Sequence, residues 1–158
     1  MFWEETSMKC LSVSQPYADL IIMGKKTIEL RTWNTKFRGE FLIHAPSKIK
    51  KDACKKIGID ETKLRIQVII GKAEIYDVKI YDSVVELKND YKKHFASEEF
   101  LHHKYGFLLR NPKELLVPLP YKGSLGFFNV KLKSAIKEND IKFELFDEEH
   151  RYQWIGRH

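Results

Sequence analysis

The sequence predicts an α+β fold, a small, partly open β-barrel flanked by short helices. Runs rich in β-branched and aromatic residues recur along the chain, short helical stretches join them, and glycines such as Gly71 fall where a long strand must bend. Regular alternation of strand and helix stops after the second helix, which disfavours a doubly wound parallel sheet.

In chain order, Lys9 to Ser14 reads as a short strand entering the core. Ser14-Gln15-Pro16 has the form of a helix start, with Ser14 or Gln15 near the cap and Pro16 in the first turn, where a missing N–H does no harm. Tyr17, Leu20 and Ile21 then form an apolar stripe that Gly24 ends. Thr27 to Trp33 suits a strand, with Ile28 and Leu30 on one face and Thr27, Glu29 and Arg31 on the other. Asn34 to Arg38 is a turn, and Gly39 to Ala45 is a buried strand stopped by Pro46.

Ser47 can cap a helix over Ile49 to Gly58, with Ile49, Ala53 and Ile57 inward and lysines outward. Arg65 to Tyr81 is the longest strand-like run, bent at Gly71, with Ala73, Ile75, Val78 and Ile80 as core residues. Asp82 to Leu101 is polar and helical or irregular. Gly106 to Arg110 resumes strand, Pro112 to Tyr121 is a proline-punctuated crossover, Leu125 to Leu132 is another strand, and Ile141 to Phe146 adds one at the edge.

A chain of 158 residues fits one domain able to bury about two-thirds of its unfolded surface. The reading is an extension over 1–8, a domain over 9–133, and a C-terminal extension over 134–158 packed on it or trailing. Hydrophobic content of 43% with 32% charged residues excludes a disordered polyelectrolyte, and no apolar run approaches the roughly 20 residues a bilayer requires. The first ten residues carry two acids and no apolar segment, so a cytoplasmic protein is expected, with Cys10 and Cys54 reduced. There is no CxxC or HExxH, and His102 and His103 would point about 100° apart on a helix, so neither metal nor cofactor is expected.

The net charge of +6 is unevenly spread. Ten Lys or Arg against three acids lie between Gly24 and Lys56, whereas the last 25 residues are net acidic. A polyanionic partner on the basic region follows, although lysines on a helix face can equally serve solvation. Within that region Lys26, Glu29 and Arg31 stand beside one polar strand face. Such a set can form a buried ion network, hold an anionic or base-like ligand, or supply acid–base chemistry, with Arg31 as a planar fork and Lys26 as a base if desolvated.

Gly24, Lys26, Glu29 and Arg31 match a GxKxxExR signature, flanked by SVSQPYADLI before and TWNTKFRGEFLIHA after. With GFLLRNP and PLPYKGS further on, the chain resembles the activating-signal-cointegrator homology (ASCH) family over about Lys9 to Leu132. The resemblance implies a barrel related to the PUA domains of RNA-modifying proteins, with a cleft suited to RNA or a nucleotide. It also implies two possible activities, hydrolysis of N4-acetylcytidine and ribonuclease action. In the hydrolase branch the signature lysine works with a threonine three places on and a later glutamate. Here Lys26 is retained, Glu29 occupies the threonine position, and Glu74, Glu98 or Glu99 could be the later acid, Glu74 being preferred for its place within a strand.

The candidate catalytic set is thus Lys26, Glu29 and Glu74. The candidate nucleotide contacts are Gln15, Tyr17, Lys26, Glu29, Arg31, Trp33, Arg38 and Lys122, combining phosphate partners with stacking aromatics. Gln15 could instead cap its helix, Phe37 and Tyr105 favour core packing, and His44, inside an apolar run, reads as a satisfied core histidine. An adaptor whose signature is only a structural ion network is the non-catalytic alternative.

Overall fold

The computed structural model describes residues 3–135 and 144–145, with side chains over 7–98 and 100–132. Its elements are β1 (Trp3–Ser12), α1 (Tyr17–Ile22), β2 (Ile28–Arg31), β3 (Gly39–Ala45), α2 (Lys51–Ile57), β4 (Val68–Ile80), α3 (Val84–Asn89), α4 (Tyr91–His94), β5 (Tyr105–Pro120), β6 (Phe127–Ala135) and β7 (Glu144–Leu145), with 3₁₀ turns at Glu61–Lys63 and Glu98–Phe100. The strands form one sheet in the order β2-β5-β4-β3-β1-β6-β7. β1 and β3 run parallel and every other described pair is antiparallel, so the sheet is mixed. Its two ends do not pair with each other, which leaves the barrel partly open.

Side chains alternate across the pleat, so the central strands carry apolar residues on both faces. Leu11, Phe41, Ile43, Ile75 and Phe107 pack with Leu20 and Ile21 of α1 in the main core. Cys10, Leu42, Ile69, Val130 and Leu132 form a second cluster. Ile28 and Leu30 meet Tyr81, Leu87 and Ala96, which docks the helical segment between β4 and β5 against the edge strand β2.

Several expectations change in detail. β1 begins at Trp3 and pairs along its length with β6. β5 is one continuous strand from Tyr105 to Pro120 rather than a strand followed by a crossover. Its prolines are accommodated because the β4–β5 ladder shifts register between Lys72 and Glu74 and again between Ile69 and Gly71. Pro112 and Pro118 fall at those irregular places, outside the registered pairs, and Pro120 ends the strand opposite Val68. Gly71 sits at one shift, and a Cβ there would lie 2.3 Å from the Lys113 carbonyl oxygen and 2.6 Å from Ile22 Cδ1.

A third shift, between Ile75 and Asp77, re-aims the end of β4, so Ile80 is 52% exposed instead of joining the core. The helix expected from Ile49 starts at Lys51 without a side-chain cap, and Ile49 instead bridges Gln15. Pro16 stands at the cap position of α1 rather than inside its first turn. Cys10 and Cys54 are free and buried. Residues 136–143 and 146–158, and the Glu99 side chain, lie outside the described residues, as does most of the expected edge strand over 141–146.

Candidate nucleotide-binding cleft

A cavity of about 210 Å³ opens where β1, the loop before β2, β2 itself and the 82–104 segment meet. Lys26, Glu29 and Arg31 form its polar floor, Ser12, Ser14 and Lys50 its rim, and Tyr17, Phe100 and His103 its aromatic wall. The first helix places Tyr17. The chain then turns back at once: the Lys25 and Lys26 amides both donate to the Leu20 carbonyl at 3.0 Å, which delivers Lys26 beside the polar face of β2.

Lys26 is 3% exposed. Its Nζ donates to the carbonyls of Ile28 and His94, both at 2.7 Å, and lies 3.2 Å from Glu29 Oε1. Three oxygens around one nitrogen match the three protons of an ammonium and leave no lone pair. Burial pulls its pKa below the ordinary lysine value, with Glu29 opposing. In this arrangement Lys26 is a charged donor, also seated 5.2 Å over the Tyr17 ring.

Glu29 divides its oxygens. Oε1 faces Lys26, while Oε2 accepts from Arg31 Nε at 2.9 Å and meets Nη2 at 2.8 Å. Burial works against the carboxylate, but Lys26 and Arg31 outweigh it and hold the group below its ordinary range. Arg31 Nη2 also donates to the Ser12 carbonyl at 2.8 Å. Its Nη1 has no protein acceptor among the described residues, and the side chain is 20% exposed. The triad therefore carries one net positive charge and presents it through Arg31.

The wall is built by the 82–104 segment. His94 is 1% exposed, its Nδ1 accepts from the Ala96 amide at 2.9 Å, and its Nε2 faces the Leu87 carbonyl at 2.7 Å. A carbonyl only accepts, so Nε2 carries the hydrogen and the ring is neutral; burial lowers its pKa in the same sense. Phe100 stands edge-on to Tyr17 at 6.4 Å and to His103 at 5.2 Å. Across the mouth, Lys50 sits 5.3 Å over Phe100 and Lys56 sits 4.6 Å over Tyr91, joining the lysine-bearing helix α2 to that wall.

Of the residues singled out from sequence, Tyr17, Lys26, Glu29 and Arg31 meet in the cavity. The others lie elsewhere. Gln15 is buried and its amide is consumed by Asp19 and the Arg65 carbonyl, so it caps α1. Trp33 packs edge-on against Phe107 and Phe127 beside the main core. Arg38 reaches the Thr35 and Phe37 carbonyls and, at 3.7 Å, Asp77. Glu74 pairs with Arg110 across the β4–β5 ladder and does not line the cavity. Lys122 is exposed on the loop before β6.

Sequence reasoning did not single out Ser12, Ser14, Lys50, His94, Phe100 and His103 for this site. A run such as Ser97-Glu98-Glu99-Phe100 gives no sign that its aromatic will face β2, since that depends on how the whole segment docks. Among the described residues no group of three His, Cys, Asp or Glu could hold a metal ion, and no helix is long and apolar enough to cross a membrane.

The ASCH domain profile matches residues 11–123. The chain belongs to the ASCH family. Among curated proteins it is 29% identical to activating signal cointegrator 1 of Homo sapiens over 154 residues, an alignment covering 84% of this chain and 24% of that protein. It is 28% identical to the Mus musculus counterpart over the same shares. The chain thus spans about a quarter of the curated relatives it matches. Among solved structures, ASCH from Zymomonas mobilis superposes with a TM-score of 0.52 at 16% identity, covering 94% of this chain and 93% of that one. A mutant of the same Zymomonas mobilis protein superposes at 0.53, also at 16% identity, covering 94% of each chain. These structural likenesses show a shared fold.

Proposed function

We propose that this ASCH domain binds single-stranded RNA or a nucleotide, with one base entering the cavity and the flanking backbone crossing the lysines of α2. The observation that carries this reading is the buried Lys26–Glu29–Arg31 triad, whose surplus charge faces the cavity through the open edge of Arg31. Arg31 can donate to a phosphate or to a base carbonyl, and Glu29 fixes it so that little side-chain freedom is lost on binding. Tyr17, Phe100 and His103 offer ring faces or edges to a base. The cavity of about 210 Å³ is smaller than the roughly 300–1,000 Å³ typical of pockets for drug-sized ligands, which suits one base or nucleoside and leaves the rest of the strand outside. Lys48, Lys51 and Lys55, on and just before α2, are exposed.

Fluorescence anisotropy with a short single-stranded RNA tests this at several salt concentrations. Binding weakens with salt, log affinity falling by about 0.7 per log unit of salt for each phosphate contacted. Arg31→Ala weakens binding about tenfold or more while the domain still melts cooperatively. Unchanged affinity in a folded Arg31→Ala chain overturns the proposal.

A further inference from the structure

A second constellation reaches the cavity through Ser12. Ser12 and His44 are register partners across the parallel β1–β3 ladder. Ser12 Oγ lies 2.9 Å from His44 Nδ1, and His44 Nε2 lies 2.7 Å from the Tyr121 carbonyl oxygen. Because that carbonyl can only accept, Nε2 bears the hydrogen and Nδ1 presents its lone pair, so the Ser12 hydroxyl is the donor. Phe128 stands edge-on to the imidazole at 6.2 Å and completes its seat. A hydroxyl, a base within hydrogen-bond reach, and a third group that fixes the base are the parts of an activated nucleophile.

Two further features concern access. Ser12 is half-buried and lines the cavity, and its carbonyl receives Arg31 Nη2, so a group held at Arg31 lies next to this residue. Gly123 turns its bare face to the pair: a Cβ there would sit 2.7 Å from both Ser12 Oγ and His44 Cε1. Only a residue without a side chain lets the loop pass over the hydroxyl and the imidazole without separating them.

We infer that Ser12 and His44 form a nucleophile–base pair that accepts acyl groups from esters entering the cavity. Ser12 Oγ adds to the ester carbonyl carbon as its proton passes to His44 Nδ1. The bond from that carbon to the alcohol oxygen then breaks, and His44 returns the proton to the departing alcohol. Water attacks the acyl-serine, passing a proton through His44, and releases the carboxylic acid with the hydroxyl restored. Esters are favoured over amides because the imidazolium formed on the way is buried and faces the Tyr121 carbonyl rather than a carboxylate. Such a base suits leaving groups that need little protonation. The inference rests on this pair and does not require that the cavity bind nucleotides.

The test uses the full chain and a fluorophosphonate probe, in which Ser12 Oγ displaces fluoride from phosphorus, followed by peptide mapping by mass spectrometry. The expected label is on Ser12. His44→Gln slows labelling about 100-fold or more, and Gly123→Ala slows it by separating the pair. Release of p-nitrophenol from p-nitrophenyl acetate follows the same order, with the acetyl group mapped to Ser12. A folded wild-type chain with no label on Ser12, or equal labelling rates in wild type and a folded His44→Gln variant, overturns the inference. Should the variants fail to fold, the wild-type map alone decides. RNA titration of the unlabelled chain reads the binding proposal separately, so either can fail while the other stands.

Discussion

Lys26 donates to the main-chain carbonyl of His94 at 2.7 Å, a residue 68 positions later in the chain. Through this bond the signature lysine ties the loop before β2 to the segment that walls the cavity. The neighbouring bond from the Thr27 amide to the Lys93 carbonyl, at 2.9 Å, runs the same way. The lysine is therefore a clamp as well as a charge.

Replacing Lys26 by methionine keeps most of the volume and removes the clamp. Glu29 loses a partner in the interior, and two carbonyls lose their donor. Breaking a buried pair from one side costs about 3–5 kcal/mol, so Lys26→Met is expected to lower the denaturant midpoint without changing the slope of the transition. A midpoint equal to wild type would show that the three contacts add nothing to stability.

Glu29→Gln separates ligand binding from support. The amide preserves shape but leaves Lys26 and Arg31 without the charge between them. Stability is expected to fall by about 3 kcal/mol, and RNA affinity to fall in chains that remain folded, because Arg31 is no longer held. If stability falls while affinity stays constant, the triad is only a structural network.

Stability should depend on pH in two stages. His44 and His94 are buried, and their pKa values lie below the ordinary 6.5 in the folded chain. The unfolded chain therefore takes up protons first, and stability declines as pH falls below about 6.5. Glu29, held below its ordinary 4.5, adds a second decline as pH falls below that value toward its folded pKa. Thermal melts across this range check both. A melting temperature that stayed level from neutrality to pH 5 would contradict the assignment of both histidines as neutral.

Gly71→Ala tests the bend in β4. The new methyl would meet the Lys113 carbonyl oxygen at 2.3 Å, and backbone cannot retreat as a side-chain tip can. A loss of about 3 kcal/mol is expected, with the β4–β5 ladder the first part to exchange amide hydrogens. Unaltered exchange there would mean that the ladder has slack the structure does not suggest.

The charged triad was legible in the sequence because ionisable groups on a short strand face stand out against apolar neighbours. Glu29 and Arg31 needed only the two-residue period of β2 to be placed together. The wall of the cavity was not legible, since Phe100 and His103 reach it only once the 82–104 segment docks on Ile28 and Leu30. Ser12 and His44 fell between the two cases. Each was read correctly as a strand residue, but the parallel pairing that joins them 32 positions apart is a property of sheet order. β5 was divided in error because prolines ordinarily end strands, and the register shifts that admit them arise jointly with β4.

The two thiols give the molecule a built-in pair of clocks. Cys10, on the interior strand β1, has no exposed surface, and Cys54, on the helix beside the cavity mouth, has 2%. Neither sulfur meets an alkylating reagent until its own surroundings part. Modification of Cys54 therefore times the lifting of α2, the movement that would widen the mouth, whereas modification of Cys10 times the parting of the whole sheet.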